Sequence, residues 1–200
     1  MSRKAQKKDR CPQCRMKQSF CICEFLKPLD TKTFVTILMH HRETVTTTNT
    51  ARIAHKLLSQ SEIHLRGRID EKLSQEMVFK KGYTPVYLYP SEKAQLLTEE
   101  TLKTLARPIQ LIVPDGSWRQ TRRVSKREKY LEDILHVKLA LEKPSLFFLR
   151  RKVKNEGMST LEAIARSLGV LESREIQEKM ENVFRIMVER TLETRGKKLS

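Results

Sequence analysis

The residues best placed to do chemistry lie in the stretch IQLIVPDGSWRQTRR, residues 109–123. A run of strand-forming residues stops at Pro114, and Asp115 and Trp118, the single tryptophan of the chain, follow within four positions. A carboxylate at the end of a buried strand can accept a proton from a substrate or orient it, but an aspartate after proline can also be a plain turn residue. Trp118 can stack on a nucleic-acid base, or it can pack in the core beneath the turn. The residues alone leave both pairs of alternatives open.

All four cysteines of the chain lie in one short segment, CPQCRMKQSFCIC. Their spacing, C-x2-C-x6-C-x-C, brings together two close pairs of thiolates, which suits a tetrahedral zinc ion. A disulfide framework is disfavoured, because the basic N-terminus MSRKAQKKDR has no apolar segment behind it and does not look like a secretory signal. An iron–sulfur cluster and unmetallated thiols are the alternatives. We predict a structural zinc site with the ligands Cys11, Cys14, Cys21 and Cys23.

The charge of the chain predicts a polyanionic partner. The formal net charge is +16 and the isoelectric point is about 9.9, which favours nucleic acid first and an anionic membrane surface second. Two interior clusters follow strand-like segments: Arg119, Arg122, Arg123, Lys126, Arg127 and Lys129, and then Arg150, Arg151, Lys152 and Lys154. No stretch approaches the roughly 18 apolar residues of a membrane span. We therefore expect a cytoplasmic protein without a membrane segment and without an obligate protein partner.

Strand and helix patterns alternate along the chain after the cysteines. Strands are predicted at 33–39, 86–89, 109–113, 136–140 and 146–149. Helices are predicted from Asn49 or Thr50 through Ser59, over 92–106, from the capping box Ser159-x-x-Glu162 to Gly169, and for about five turns from about Glu172. Residues 60–82 carry no clear pattern. The alternation predicts an α/β fold with a mainly parallel sheet and helices on both faces, preceded by a small zinc knuckle at 1–30.

Polar or small residues follow each of the main predicted strands. The strand ends read MHHRE, YLYPSE, IVPDGSW and FFLRR…GMST. Ligands of open α/β sheets bind beyond the carboxyl ends of the strands, so these four segments are expected to meet at one site. Ser117 and Gln120 have the spacing of a capping box, which predicts a helix whose N-terminal amides favour an anionic group.

Several blocks of the sequence resemble, in the same order, those of the DTW-domain family. They are the cysteine segment, MHHRE…NTARIA, YLYPSE, PDGSWRQTRR and FFLRR…MSTLEAIA, over about residues 11–166. The resemblance implies a transferase that moves the 3-amino-3-carboxypropyl group of S-adenosylmethionine to N3 of a uridine in tRNA, with methylthioadenosine as the second product. It also implies a SPOUT-like domain at 31–200 with a C-terminal trefoil knot. Two positions depart from the pattern: Ser117 stands where threonine is commoner, and His41 stands where proline commonly follows the first histidine.

The resemblance assigns roles to individual residues. Asp115 becomes the candidate catalytic residue, acting on the proton at uridine N3. The candidate residues for binding S-adenosylmethionine are Tyr89, Pro90, Ser91, Pro114, Asp115, Ser117, Trp118, Met158, Ser159 and Thr160. The candidate tRNA-binding residues are His40, Arg119, Arg122, Arg123, Arg150 and Arg151.

Simpler interpretations stand beside these roles. Ser159 can be a plain helix cap, and Arg150 with Arg151 can be a surface pair. His40 and Glu43 are better explained as hydrogen-bonding partners than as ligands of a catalytic metal, because no third ligand stands at motif spacing. Two other functions remain open: a SPOUT-type RNA methyltransferase that uses the same donor, and a zinc-containing RNA-binding protein without catalysis.

Overall fold

The computed structural model describes residues 9–68, 72–140 and 157–196, and in these residues one parallel sheet organises the fold. Its six strands are β1 (Phe34–His40), β2 (Ser61–Arg66), β3 (Thr84–Leu88), β4 (Gln95–Leu96), β5 (Ile109–Asp115) and β6 (Leu135–Lys138). They lie in the order β2-β1-β5-β3-β6-β4, and every neighbouring pair is parallel. The predicted α/β class and parallel sheet are confirmed.

Helices cover both faces of this sheet. They are α1 (Thr50–Lys56), α2 (Gln75–Val78), α3 (Glu99–Lys103), α4 (Trp118–Thr121), α5 (Val124–Arg127), α6 (Thr160–Leu171) and α7 (Arg174–Glu193). Because side chains alternate along a strand, Ile37 and Met39 of β1 pack on the larger core, which contains α1, α6 and α7. Leu38 points the other way and packs with residues of α2, α5 and the 3-10 turn Lys129–Leu131. Asp115 lies on the face of α1 and α6, since it follows the alternation of Leu111 and Val113.

Two strands, β2 and β4, are not predicted from the sequence. The unassigned region 60–82 contains β2 and α2, and β4 occupies part of the segment 92–106 that was predicted to be helical throughout. The amide of Leu97 donates to the carbonyl of Lys138 (2.8 Å), so this segment pairs with β6 and the helix begins only at Glu99. The strand predicted at 146–149 lies outside the described residues.

Gly169 does not end α6, contrary to the prediction. The helix continues to Leu171, and a Cβ atom at position 169 would lie 2.0 Å from Oε1 and 3.2 Å from Cβ of Gln177 in α7. The glycine therefore permits the close packing of α6 on α7. The amphipathic helix predicted from about Glu172 is confirmed as the 20-residue α7, capped by Ser173.

The segment 11–23, which we call the cysteine knuckle, belongs to the larger core. Cys11, Cys14, Met16 and Ile22 are buried in the same cluster as the sheet and α7. Arg190 of α7 donates hydrogen bonds to the carbonyl of Cys21 and to the carboxylate of Glu24. The knuckle is thus packed against the α/β body through α7.

Candidate active site at the carboxyl edge of the sheet

Asp115 lies at the centre of the carboxyl edge, as the last residue of β5. Its side chain is only 6% exposed, and Gly116, with φ +153°, takes the turn that follows. One carboxylate oxygen accepts a hydrogen bond from Nδ2 of Asn49 (2.9 Å) and the other from Oγ1 of Thr160 (2.6 Å). The carboxylate therefore joins β5 to the N-termini of α1 and α6.

Asn49 is oriented by its second hydrogen bond. It caps α1, as predicted, and its Oδ1 accepts from the amide of Arg52 (2.9 Å), which turns Nδ2 toward Asp115. Its role as a partner of Asp115 was not predicted from the sequence. The only signal was the presence of Asn49 in the NTARIA block, because a capping residue gives no indication of what its free amide contacts.

Arg52 holds the loop that follows β1. Its guanidinium donates to the carbonyls of Glu43 (3.4 Å), Thr44 (3.0 Å) and Thr46 (2.7 Å). Burial lowers the pKa of Arg52, as does the charge of Arg15, while the carboxylates of Asp115 and Glu43 oppose the shift. The 3-10 turn His41–Val45, α1 and Asp115 are therefore connected through one residue.

The segment Met158–Thr160 meets Asp115 through a single hydroxyl. Ser159 caps α6 in the predicted capping box: its Oγ accepts from the amide of Glu162 (3.2 Å), and its own amide donates to Oε2 of Glu162 (2.9 Å). Ser159 is thus a helix cap, whereas Thr160 is the residue that contacts Asp115. Met158 accepts from the guanidinium of Arg166 through its sulfur (3.3 Å).

Ser91 is held by a buried histidine that the sequence did not reveal. Nε2 of His136 donates to the carbonyl of Leu131 (2.8 Å), and Nδ1 lies 3.0 Å from Oγ of Ser91. Burial lowers the pKa of His136, while its hydrogen bond to the Leu131 carbonyl opposes the shift. The ring is then neutral, and Nδ1 accepts the proton of the Ser91 hydroxyl. The turn Tyr89–Ser91 is fixed to β6 in this way.

Trp118 is exposed, so the alternative that it packs in the core is wrong. Its side chain is 54% exposed, and its ring centroid lies 6.5 Å from that of the half-buried Tyr89 at an interplanar angle of 54°. Burial raises the pKa of Tyr89, against a hydrogen bond with Thr121 and the charge of Arg122. Ser117 donates through both its amide (2.7 Å) and its hydroxyl (2.8 Å) to Oε1 of Gln120, which begins α4 as predicted.

His40 ends β1 beside this site. Its Nδ1 accepts from the amide of Arg42 (3.2 Å), and its ring stacks on His41 at 4.5 Å. Burial lowers the pKa of His40, followed by the positive charges of His41, Arg66 and Arg42, and the neutral ring is the form that can accept this hydrogen bond. A Cβ atom at Gly67, which has φ +89°, would lie 2.8 Å from Nε2 of His40, so the glycine leaves room for the ring.

The helix predicted from the capping box of Ser117 and Gln120 is two short helices, α4 and α5. Arg119 on α4 is exposed, and so are Arg122 and Arg123 in the connection between α4 and α5. Glu128 pairs with the buried guanidinium of Arg66 (3.6 Å) and anchors the segment to the sheet. Such short helices carry little dipole, which weakens the expectation of an anion site at their amides. Arg150 and Arg151 lie outside the described residues.

The four cysteines form a group that fits a zinc ion. Their sulfur atoms lie within 4.8 Å of one another, with 3.5 Å between Cys11 and Cys23 and 3.7 Å between Cys14 and Cys21. Zinc–sulfur bonds of about 2.3 Å in a tetrahedron place the sulfurs about 3.8 Å apart. Burial raises the pKa of the Cys11 thiol, but hydrogen bonds with the backbone of Cys14 and Gln13 outweigh it and lower the pKa to about 6. Burial raises the pKa of the Cys14 and Cys23 thiols, so a thiolate is favoured at Cys11, and a metal would have to displace the protons of Cys14 and Cys23.

A cavity of about 540 Å³ opens at the other end of the sheet. Thr33, Gln60, Tyr83 and Ile109 line it, and they stand at or near the amino ends of strands. The carboxylate of Glu172 in its wall already accepts hydrogen bonds from Thr33. Because the polar segments predicted to meet lie at the carboxyl ends, we place the candidate active site there and not in this cavity.

Comparisons with known proteins agree with the resemblance to the DTW-domain family. Residues 8–192 match the family model described as the DTW domain. The chain is similar to tRNA-uridine aminocarboxypropyltransferase 2 of Macaca fascicularis, with 28% identity over 174 residues, and to the mouse protein of the same name, with 27% identity. Each alignment covers 84% of this chain and 58% of the relative, so the chain spans little more than half the length of these curated relatives. Across residues 9–68, 72–140 and 157–196, no helix combines the length and apolar character needed to span a bilayer. With a family model matched over nearly its whole length, the chain belongs to the DTW-domain family.

Proposed function

We propose that this protein transfers the 3-amino-3-carboxypropyl group of S-adenosylmethionine to N3 of a uridine in tRNA. The names of the two relatives support tRNA uridine as the substrate and aminocarboxypropyl transfer as the reaction. The observation that carries the proposal is the buried carboxylate of Asp115 at the carboxyl edge, held by Asn49 and Thr160. The SPOUT-like trefoil knot, the division into residues 1–30 and 31–200, and the cytoplasmic location belong to the same proposal.

The reaction requires a proton acceptor close to the target base. S-adenosylmethionine supplies a carbon made electrophilic by the neighbouring sulfonium. Uridine N3 must lose its proton to form a bond to that carbon, and the carbon–sulfur bond breaks to release neutral methylthioadenosine. Asp115 accepts or polarises this proton, and the two donors on its oxygens keep the carboxylate in one orientation.

The surrounding residues bind and orient the two substrates in this proposal. The turn Tyr89–Ser91, Pro114, Ser117 and the segment Met158–Thr160 bind the donor, and Trp118 stacks on the donor's adenine or on the target base. The exposed arginines of the segment 119–123 contact RNA phosphates, which position a nucleic acid without reading its sequence. The cysteine knuckle holds a structural zinc ion with four protein ligands, so the metal has no open position for catalysis.

The choice of label in the donor tests the proposal and separates it from the two alternatives. Unmodified tRNA transcripts are incubated with the protein and with S-adenosylmethionine that carries isotope either on the carboxyl carbon or on the methyl group. We expect the carboxyl label, and not the methyl label, in the RNA, in a nucleoside that co-elutes with synthetic 3-(3-amino-3-carboxypropyl)uridine. Methyl label in the RNA would indicate a methyltransferase, and tRNA binding without either label would indicate a non-catalytic RNA-binding protein.

A further inference from the structure

Arg15 has an unusual backbone conformation inside the cysteine knuckle. Among the described residues it is the non-glycine residue with a positive φ, +61°, directly after Cys14. The turn is fixed by hydrogen bonds from the amide of Arg15 to the carbonyl of Cys11 (2.9 Å) and from the amide of Cys11 to the carbonyl of Met16 (2.8 Å). Glycine takes this conformation without steric cost, whereas a residue with a side chain is strained in it. Such strain marks positions where the side chain is needed for something else.

The Arg15 side chain reaches the loop beside the candidate active site. Its guanidinium donates a hydrogen bond to the carbonyl of Thr44, which also accepts from Arg52 (3.0 Å). The carbonyl of Arg15 is itself held by the guanidinium of Arg10 (3.1 Å). Thr44 belongs to the 3-10 turn that directly follows His40. Arg15 thus contacts, from the knuckle, the same carbonyl that Arg52 contacts from α1.

The two guanidiniums repel each other, so their convergence on Thr44 needs compensation. The carboxylates of Glu43 and Asp115 provide it, since both counter the lowering of the pKa of Arg52. From Arg52 the contacts continue through its amide to Asn49 and from Asn49 to Asp115. A continuous series of hydrogen bonds therefore leads from the cysteine knuckle to the candidate catalytic carboxylate.

We propose that Arg15 is a positioning residue that couples the cysteine knuckle to Asp115 through the segment 41–46 and the N-terminus of α1. This inference rests on the proposed function. In the proposed reaction Arg15 contacts neither S-adenosylmethionine nor tRNA. It fixes the segment 41–46, which sets the position of Arg52 and Asn49. A zinc ion held by the four cysteines would then have a second effect besides holding the knuckle, because it would keep the turn at Arg15 in the conformation that reaches Thr44.

Two substitutions separate the side chain's role from the backbone strain. Arg15→Gly removes the guanidinium and relieves the strain, and Arg15→Met removes the guanidinium but keeps the strain and the apolar stem. Arg190→Met is the matched control, because it removes a guanidinium that holds the knuckle on its other side, at Cys21 and Glu24. Zinc content, Tm, kcat and KM for S-adenosylmethionine are measured for each variant.

We expect both Arg15 variants to retain zinc and to lose about 10- to 100-fold in kcat, with KM changed less than about twofold, as for loss of a group that orients a catalytic residue. Arg15→Gly should do so without a lower Tm. Arg190→Met should lower Tm and keep the kcat of the folded protein. Arg15 variants that keep at least half of the wild-type kcat, or that lose zinc, would overturn the inference.

Hydrogen exchange provides a test that needs no transferase activity. The amide of Thr46 donates to the carbonyl of Glu43 (3.1 Å), and its exchange should be faster in Arg15→Met than in the wild type, while amides of α7 remain unchanged. Unchanged exchange in 41–46 would overturn the inference. A wild-type chain without transferase activity would instead refute the proposed function, and the exchange measurement would still decide the role of Arg15.

Discussion

Asp115 accepts hydrogen bonds on both carboxylate oxygens, and this determines what a substitution can show. Asparagine has the same shape and keeps one carbonyl oxygen, which can accept from Asn49. Its amide nitrogen would then face Thr160, whose hydroxyl can accept a hydrogen bond as well as donate one. The network therefore survives the substitution, while the negative charge is lost.

Asp115→Asn should separate catalysis from structure. We expect the transfer rate to fall by about 10²–10⁴, because in the proposed mechanism the proton at uridine N3 loses its acceptor. The Tm should fall by less than about 3 °C, equivalent to about 1 kcal/mol for a chain of this size. The exposed Asp133→Asn is the matched control and should change neither quantity. A large drop in Tm with a near-normal rate would mean that Asp115 serves the fold alone.

The sequence indicated Asp115 but not its partners. The amino-acid sequence alone indicates an aspartate after a buried apolar run, and it also indicates that Asn49 and Ser159 are helix caps. The contact between Asn49 and Asp115 spans 66 residues, and the contact between Thr160 and Asp115 spans 45. Partners so far apart depend on how α1 and α6 pack on the sheet, and no local pattern records that packing.

At the level of elements, β2 was missed because one of its faces is polar. Glu62, His64 and Arg66 share that face, so the segment lacks the apolar run of a buried strand. Glu62 accepts from Thr36 of β1 (3.1 Å) and lies 3.1 Å from Nε2 of His64, and Arg66 pairs with Glu128. Thr36 and Glu128 lie outside β2, so the pattern of this segment alone does not reveal them. The central strands β1 and β5 were predicted well because both of their faces are buried.

The basic segment of α4 and α5 should supply phosphate contacts to tRNA. Arg122→Ala with Arg123→Ala removes two exposed charges, so the slope of log K against log salt should fall by about one for each lost contact. This slope is measured by filter binding or fluorescence anisotropy at several salt concentrations, from low to moderate. Arg174→Ala with Lys179→Ala removes the same charge from exposed positions of α7 and should leave the slope unchanged. Equal effects of the two pairs would show that only net charge matters.

The cysteine knuckle should contain about one zinc per chain. Cys14→Ser breaks the ligand set, and loss of a structural metal belongs to changes that cost more than about 4 kcal/mol. For a chain of this size that corresponds to roughly 8–16 °C in Tm. The whole chain should be affected, because the knuckle shares its core with α7. Elemental analysis measures the zinc content, and thermal unfolding measures the Tm. In the wild-type protein, zinc added after chelation should restore the original Tm. An iron chromophore, or no metal, would contradict the assignment.

For the molecule as a whole, burial of three histidines makes stability depend on pH. Burial lowers the pKa of His40, His55 and His136. Below about pH 6.5, the usual histidine pKa, the unfolded chain therefore binds more protons than the folded protein. The free energy of unfolding then rises with pH through this range and falls as pH drops from 7.5 to 6.

Urea unfolding at pH 7.5, 6.5 and 6.0 measures this dependence, with zinc content checked at each pH because acid also releases metal from thiolates. We expect His55→Gln to reduce the slope, since it removes one of the three histidines. A free energy of unfolding that is flat or increases as pH falls from 7.5 to 6 would contradict the expectation.

The contacts of Asp115 also determine at which stage of folding the protein becomes active. The carboxylate, Asn49 and Thr160 come from three distant parts of the chain and meet only after α1 and α6 have docked on the sheet. A partly folded intermediate lacks this arrangement even if its secondary structure has formed. Activity should therefore be regained during refolding with the slowest phase of tertiary assembly, and not with the earlier recovery of helix content.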